Sequence, residues 1–310
     1  DIYRAFVRRL IEEDKAYPCF CTPEELDEQR NIQELEKARI GYYGPWARCR
    51  SLSMEEVIEK VKNGEKYIIR LKSPGNFNNK IVLHDLIKGN IEMPENDQDI
   101  VILKSDNLPT YHFAHAIDDH LMHTTNVIRG DEWVASYPIH EQLFKVLGFK
   151  LPYYSHIAPI TIKEGNVVRK ISKRKDPEAA ISFYHKAGIP TEVIRLYLAT
   201  INNSTFEAWY LQNPDKTIDD FKFEFEKAPI GGSLFDIQKL ISISRVYFST
   251  LKASDVYAET LKYTSLYDNE FNSLLSKYKD YSINVLNIER EIPRPRRDIS
   301  SYGDVRKYIW

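Results

Sequence analysis

The stretch from Val101 to Trp133, VILKSDNLPTYHFAHAIDDHLMHTTNVIRGDEW, restricts the fold more than any other part of the chain. Val101–Lys104 reads as a buried strand and Ser105–Pro109 as a turn. Thr110 stands where a helix cap is needed, and the spacing predicts a helix from Tyr111 to about Met122. Asn126–Arg129 reads as a second short strand. Pro138–Leu147 reads as a helix stopped by Gly148. Strands alternating with helices point to an α/β fold, with a parallel sheet as the expectation.

The flanking segments extend this pattern. Residues 1–17 place Ile2, Phe6, Val7, Leu10 and Ile11 on one helix face, and Pro18 is expected to end that helix. Thr22-Pro23-Glu24-Glu25 is a helix start, predicting an exposed helix over 24–40. Ser53 and Glu56 form a capping box that opens another helix, to about Lys62. KYIIRLK (66–72) reads as a strand, and KIVLHDLIKGNIEM as strands around a turn at Lys88-Gly89-Asn90. Beyond Pro177 the text is almost wholly helical. There, Val256, Leu261, Leu266, Leu274, Leu275 and Val285 have the spacing of core positions.

Composition narrows the functions open to such a chain. The formal charge of −2 over 310 residues excludes a uniformly basic nucleic-acid wrapper, so any RNA contact must come from local patches. No apolar run is long enough to span a bilayer. The N-terminus is charged and amphipathic, unlike a signal peptide, and it starts in mid-pattern without an initiator Met. That start suggests a fragment or a processed chain. Three cysteines suit a reducing compartment better than a disulfide framework.

Four groups of residues could carry chemistry. His112, His115, Asp119 and His123 share one face of the helix from Tyr111, an arrangement open to a transition metal or to a polar cleft wall. Arg129 ends a strand at the rim of the sheet, where its fork could grip a carboxylate. The competing reading is a surface ion pair with Asp131 or Glu132. RKISKRK (169–175) packs five cations into seven residues. It suits a triphosphate, an RNA backbone or plain solvation. Cys19, Cys21 and Cys49 lie in one short window. They read as a zinc site with Tyr43, Tyr42 or His84 as fourth ligand, or as buried thiols.

Taken together, AYPCFCTPEEL, LPTYHFAHAIDDHLMHTTNVIRGDEW, PIHEQLF, KISKRK and REIPRPRRDISSYGDV resemble segments of the bacterial glutamyl-tRNA synthetases, in order, over nearly the whole chain. These are class I aminoacyl-tRNA synthetases. The resemblance implies the second half of a Rossmann-like nucleotide-binding fold (1–22 and 100–160). An inserted acceptor-end domain (23–99), a stem-contact region (161–232) and the start of a helical anticodon-binding region (233–310) would complete the chain. KISKR matches the family's KMSKS-type loop, which implies that Lys170, Ser172 and Lys173 act in adenylate formation, with Lys170, Lys173 and Arg174 on the ATP phosphates. Tyr111, His115, Arg129 and Trp133 would hold the amino acid. Cys19, Cys21 and Cys49 match zinc positions of some members. The implied substrates and partners are glutamate, ATP with Mg²⁺, and tRNA-Glu, for a cytoplasmic monomer. No HIGH signature occurs, so this chain alone is expected to be inactive. The alternatives are a glutaminyl or non-discriminating synthetase, a metal-dependent hydrolase using the histidine face, and a non-catalytic tRNA-binding module.

Overall fold

The computed structural model describes residues 2–310; Asp1, the first residue of the expected N-terminal helix, lies outside them. The chain divides into two compact units, one ending at His156 and one beginning at Ile157.

The first unit opens with α1 (Ile2–Glu12), which buries Val7 and Leu10. The helix stops well before Pro18. Asp14 takes a left-handed φ of 54°, and Lys15 N returns to Leu10 O at 2.7 Å. Pro18 instead lies within β1 (Ala16–Cys19), an edge strand, where a missing N–H is tolerated. α2 (Pro23–Leu35) starts with a full capping box. Glu25 N donates to Thr22 Oγ1 at 3.2 Å, and Thr22 N donates to Glu25 Oε2 at 2.9 Å. It ends short of residue 40 and is not exposed throughout. Gln29 and Gln33 are buried, and their side-chain amides both donate to Gly41 O, which folds the following loop back onto the helix. α3 (Met54–Lys62) carries the expected Ser53–Glu56 box.

Then come β2 (Ile68–Leu71), β3 (Lys80–Asp85), β4 (Gly89–Pro94), β5 (Val101–Leu103), α4 (Tyr111–Leu121), β6 (Asn126–Gly130), α5 (Tyr137–Leu147) and β7 (Tyr153–Ile157). They make two sheets, ordered β1-β2-β5 and β4-β3-β7-β6. The expected parallel sheet is corrected here. β1–β2, β2–β5 and β3–β4 run antiparallel, and β3–β7 runs parallel. The local pattern showed strands and helices alternating, but not that β2 inserts between β1 and β5. Thr110 occupies the N-cap position of α4, yet its hydroxyl donates to Val101 O (2.7 Å) and does not cap the helix. α5 ends as read, with Gly148 at φ 74°, a conformation that favours glycine.

One core unites these elements. Val7, Leu10, Leu71, Ile102, Phe113, Ile117, Leu143 and Phe144 are buried together. Each contributes roughly 1.5–3 kcal/mol by leaving water. This core fixes α4 against α5. A buried polar knot sits beside it. Fully buried Asp99 accepts hydrogen bonds from Tyr17 Oη (2.6 Å), Arg50 Nη1 (2.6 Å) and Ser73 N (2.8 Å). Gln142 of α5 donates to Ser73 Oγ (3.0 Å) and Asn96 O (2.7 Å). The backbone passes so close here that a Cβ on Gly75 would lie 2.2 Å from Asn96 O.

The second unit begins with the hairpin β8 (Ile160–Glu164) and β9 (Val167–Lys170). Its helices are α6 (Ile181–Ala187), α7 (Thr191–Asn202), α8 (Phe206–Gln212), α9 (Ile237–Thr250), α10 (Ala253–Tyr267), α11 (Asn269–Lys277), α12 (Lys279–Asn287) and α13 (Val305–Ile309). One strand interrupts the helical text. β10 (Ser233–Leu234) pairs parallel to β8. α9 serves two cores, giving Leu240 to one with Val193 and Tyr197, and Phe248 to the other with Val256, Phe271 and Leu275. Leu266 is 67% exposed and is not a core residue, although its spacing suggested one. No helix among the described residues is long and apolar enough to cross a membrane.

Candidate functional site

Arg129 lies in the first unit near the end of β6 and turns inward. Its Nε donates to His156 Nε2 at 2.9 Å, and its Nη1 lies 2.8 Å from His140 Nδ1. Nη2 points to Trp133 O at 3.5 Å. The guanidinium stacks 4.6 Å from the Tyr154 ring centroid. Asp131 pairs with Lys88 (3.5 Å), so the surface ion-pair reading of Arg129 and Asp131 does not hold. Tyr111, at the head of α4, is half exposed and packs against Trp133 with ring centroids 4.6 Å apart. His115, one turn along, is stacked parallel to Tyr111. The structure therefore brings together Tyr111, His115, Arg129 and Trp133.

The proton positions follow from donor chemistry. An arginine N–H can only donate, so His156 Nε2 and His140 Nδ1 must both be lone pairs. His140 Nε2–H then donates to His112 Nδ1 at 2.8 Å. His156 Nδ1–H donates to Asp85 Oδ2 at 2.7 Å. His115 Nδ1 faces Asp119 (2.9 Å) and its Nε2 faces Tyr154 Oη (2.8 Å). Burial and the nearby positive charges push the His140 pKa down to about 2. His112 is lowered by burial and by Arg129, and His115 chiefly by burial. These three rings are neutral at pH 7, so Arg129 is a charged fork set among neutral imidazoles. Burial lowers its own pKa somewhat, while the Tyr111 and Tyr154 phenols favour its charged form. Such a fork suits a carboxylate.

The metal reading of His112, His115, Asp119 and His123 fails here. Both ring nitrogens of His115 are engaged, by Asp119 and Tyr154, and His112 Nδ1 is taken by His140. His123 falls beyond the end of α4 at φ 56° and leaves the stripe. Among the described residues the one group able to hold a metal is Cys19, Cys21 and Cys49, whose sulfurs lie within 4.8 Å of one another. Tyr42 Oη lies 3.4 Å from both Cys19 Sγ and Cys21 Sγ. Tyr43 donates to Arg39 O, and His84 bonds Asn90 on β4, so neither faces the sulfurs. Hydrogen bonds from Cys21 and Cys49 hold the Cys19 thiol well below its usual range.

The basic loop leaves β9 in the second unit. Asp176, itself buried, organises it. Arg169 grips both its oxygens at 2.8 Å, and Ser172 N donates to Oδ2 at 2.7 Å. The Arg169 fork and the Ser172 N–H hold the Asp176 pKa down to about 2. Ser172 Oγ accepts from Arg174 N at 3.3 Å. Lys170, Lys173, Arg174 and Lys175 are exposed around this tied base. The hairpin strand and its anion anchor thus present several cations to water while fixing the backbone that carries them.

Sequence reasoning missed Asp85, His140, Tyr154, His156 and Asp176 as working residues. His140 lay inside PIHEQLF, and Asp176 directly follows the basic run. Asp85 and His156 gave no local signal, since they are 71 positions apart and meet only through the β3–β7 pairing.

Residues 1–240 match the sequence profile of "tRNA synthetases class I (E and Q), catalytic domain". The whole chain is 47% identical to the glutamate–tRNA ligase of Clostridium beijerinckii and spans 56% of that protein's length. It is 44% identical to the one from Acetivibrio thermocellus, spanning 57%. A crystal structure of a glutamate tRNA ligase from Elizabethkingia meningosepticum, in complex with its amino acid, matches with TM-score 0.80 at 25% identity. That match covers 99% of this chain and 62% of the other.

Proposed function

Because the chain belongs to the class I tRNA synthetases of the glutamate and glutamine group, we propose that the protein activates glutamate with ATP and transfers it to the 3′ end of tRNA-Glu. The observation that carries this reading is the Arg129 fork among neutral histidines, which offers charge-assisted hydrogen bonds to a substrate carboxylate. Tyr111 and Trp133 form the lip of that pocket, and His115 stacks beneath Tyr111. In the first step a glutamate carboxylate oxygen attacks the α-phosphorus of ATP and pyrophosphate leaves. In the second a terminal ribose hydroxyl of the tRNA attacks the adenylate carbonyl and AMP leaves. Lys170 and Lys173, with Arg174, stabilise the negative charge that grows on the departing pyrophosphate, and Ser172 helps set the loop. One such contact supplies about 3 kcal/mol of transition-state stabilisation. Mg²⁺ arrives with the nucleotide as its counter-ion.

The same reading assigns 1–22 and 100–160 to the catalytic fold and 23–99 to acceptor-end binding. Residues 161–232 contact the tRNA stem and 233–310 begin the anticodon-binding part. Cys19, Cys21 and Cys49 would hold a structural Zn²⁺ with Tyr42 as fourth ligand, pinning the loop after α2 to β1. One zinc per chain by metal analysis supports this assignment, and loss of binding in Tyr42→Phe would single out the phenol.

The test is glutamate-dependent ATP–pyrophosphate exchange and charging of purified tRNA-Glu and tRNA-Gln by the complete gene product. Exchange with glutamate and charging of tRNA-Glu are expected. Preference for glutamine overturns the glutamate assignment in favour of a glutaminyl enzyme. Charging of both tRNAs with glutamate means a non-discriminating one. Tight tRNA binding without exchange points to a non-catalytic binding module.

A further inference from the structure

We propose that Asp85 and His156 are positioning residues for amino-acid selection, which fix through one imidazole the direction in which Arg129 offers its N–H groups. The inference rests on the glutamate reading above and deepens it.

The argument starts at Asp85, at the end of β3 and almost completely buried. Its Oδ1 accepts from Ile87 N (2.9 Å) and Lys88 N (2.8 Å). Its Oδ2 accepts from His156 N (3.0 Å) and His156 Nδ1 (2.7 Å). Four N–H groups therefore converge on two oxygens, a demand that a carboxylate alone meets among side chains of this size. The parallel pairing of Asp85 with Tyr154 in β7 brings His156, two residues on, to the same side.

With its proton held on Nδ1, His156 can show only a lone pair at Nε2. Arg129 Nε–H takes that lone pair at 2.9 Å. A second imidazole acts on the far side of the fork. His140 accepts Nη1–H at 2.8 Å and is itself oriented by its bond to His112. Two acceptors on two different nitrogens of a planar group fix both its tilt and its rotation. The opposite His156 tautomer would set N–H against N–H and turn the fork away. Of the five guanidinium N–H groups, the bonds to His156, His140 and Trp133 take three. The N–H groups left on the terminal nitrogens, beside the Tyr111 phenol that also hydrogen-bonds the fork, are the ones a carboxylate engages. The two orienting rings accept hydrogen bonds but bring no negative charge that would compete with the substrate. The relay makes Arg129 a preset reader of a carboxylate, and discrimination against a side-chain amide follows from that.

The experiment compares the complete gene product with His156→Met and His156→Gln in pyrophosphate exchange. Glutamine keeps an acceptor near the position of Nε2, and methionine does not. We expect His156→Met to raise the KM for glutamate about 10- to 100-fold, to narrow the preference for glutamate over glutamine, and to leave the KM for ATP unchanged. His156→Gln should recover most of the loss. An unchanged glutamate KM in His156→Met, or an equal rise in both KM values, overturns the proposal. A second measurement needs no variant to fold. In protein labelled with ¹⁵N-histidine, two-bond ¹H–¹⁵N correlations should report His156 as the Nδ1–H tautomer, before and after glutamate is added. An Nε2–H or doubly protonated ring overturns the relay. If the unaltered protein shows no glutamate-dependent exchange, the glutamate reading fails, and the tautomer measurement still decides whether the relay exists.

Discussion

Acidification from pH 7 to pH 5 will destabilise the unit ending at His156, and His140 by itself is enough to make the effect measurable. In the unfolded chain this ring titrates near 6.5; in the folded unit burial and the neighbouring positive charges depress it to about 2. Between those values the unfolded chain takes a proton that the folded one refuses. The stability tied to the neutral ring is intact above pH 6.5 and is lost as pH falls below it. The limiting slope is about 1.4 kcal/mol per pH unit, and integration from pH 7 to 5 gives a loss of about 2 kcal/mol. His112 and His115, also lowered, act in the same direction. Glu141 opposes them, because burial raises its pKa and its acid form favours the folded state above pH 4.5. Asp85, lowered by hydrogen bonds from His156 and two backbone N–H groups that outweigh its burial, adds a loss only below about pH 4. Urea unfolding followed by tryptophan fluorescence at pH 7 and pH 5 measures the difference; Trp133 lies in the cluster and reports on it. The His140→Gln variant should show a smaller pH dependence. Equal stability at both pH values, or an unchanged dependence in His140→Gln, would refute the reasoning.

Three further outcomes follow from the geometry. Arg129→Lys keeps a charge but loses the fork and its seat on His156 and His140, so the KM for the amino acid in pyrophosphate exchange should rise about 100-fold, or about 3 kcal/mol; a change under threefold would argue that Arg129 does not touch substrate. Asp99→Ala leaves Arg50, Tyr17 and Ser73 N without their shared buried acceptor, and should cost about 3–5 kcal/mol in urea unfolding. Asp176→Ala frees Arg169 and Ser172 N at the base of the lysine loop, and should lower kcat for exchange about tenfold while the KM for the amino acid stays put. A kcat equal to that of the unaltered protein would mean that the loop orders itself without this anchor.

How much was legible in the sequence varied with how local each signal is. The capping boxes at Thr22 and Ser53, the Gly148 stop and the helix from Tyr111 all formed as read, because each depends on residues three or four apart. The end of α1 and the end of α2 were misplaced, because left-handed residues at Asp14 and Lys37 turn the chain without a glycine to announce them. The stripe was real for His112, His115 and Asp119 and misleading as a metal site, since the histidines' further partners came from α5 and β7. The three cysteines of one window meet in space, and only the coordinates show that Tyr42, not Tyr43 or His84, faces their sulfurs.

By itself the sequence determined the family segments, the helical second half, and the residue types of the candidate groups: a tyrosine, an arginine and a tryptophan in the first unit and a lysine-rich loop in the second. Those are properties of short windows, set by periodicity, capping and the chemistry each side chain carries. The tertiary structure alone decided what state those residues are in. Asp85 and His156 meet through strand pairing, His140 is buried by the packing of α5, and the protons on three imidazoles are assigned by the contacts that result. A side chain's type is local, but its charge, tautomer and direction depend on what the fold places within about 3 Å of it.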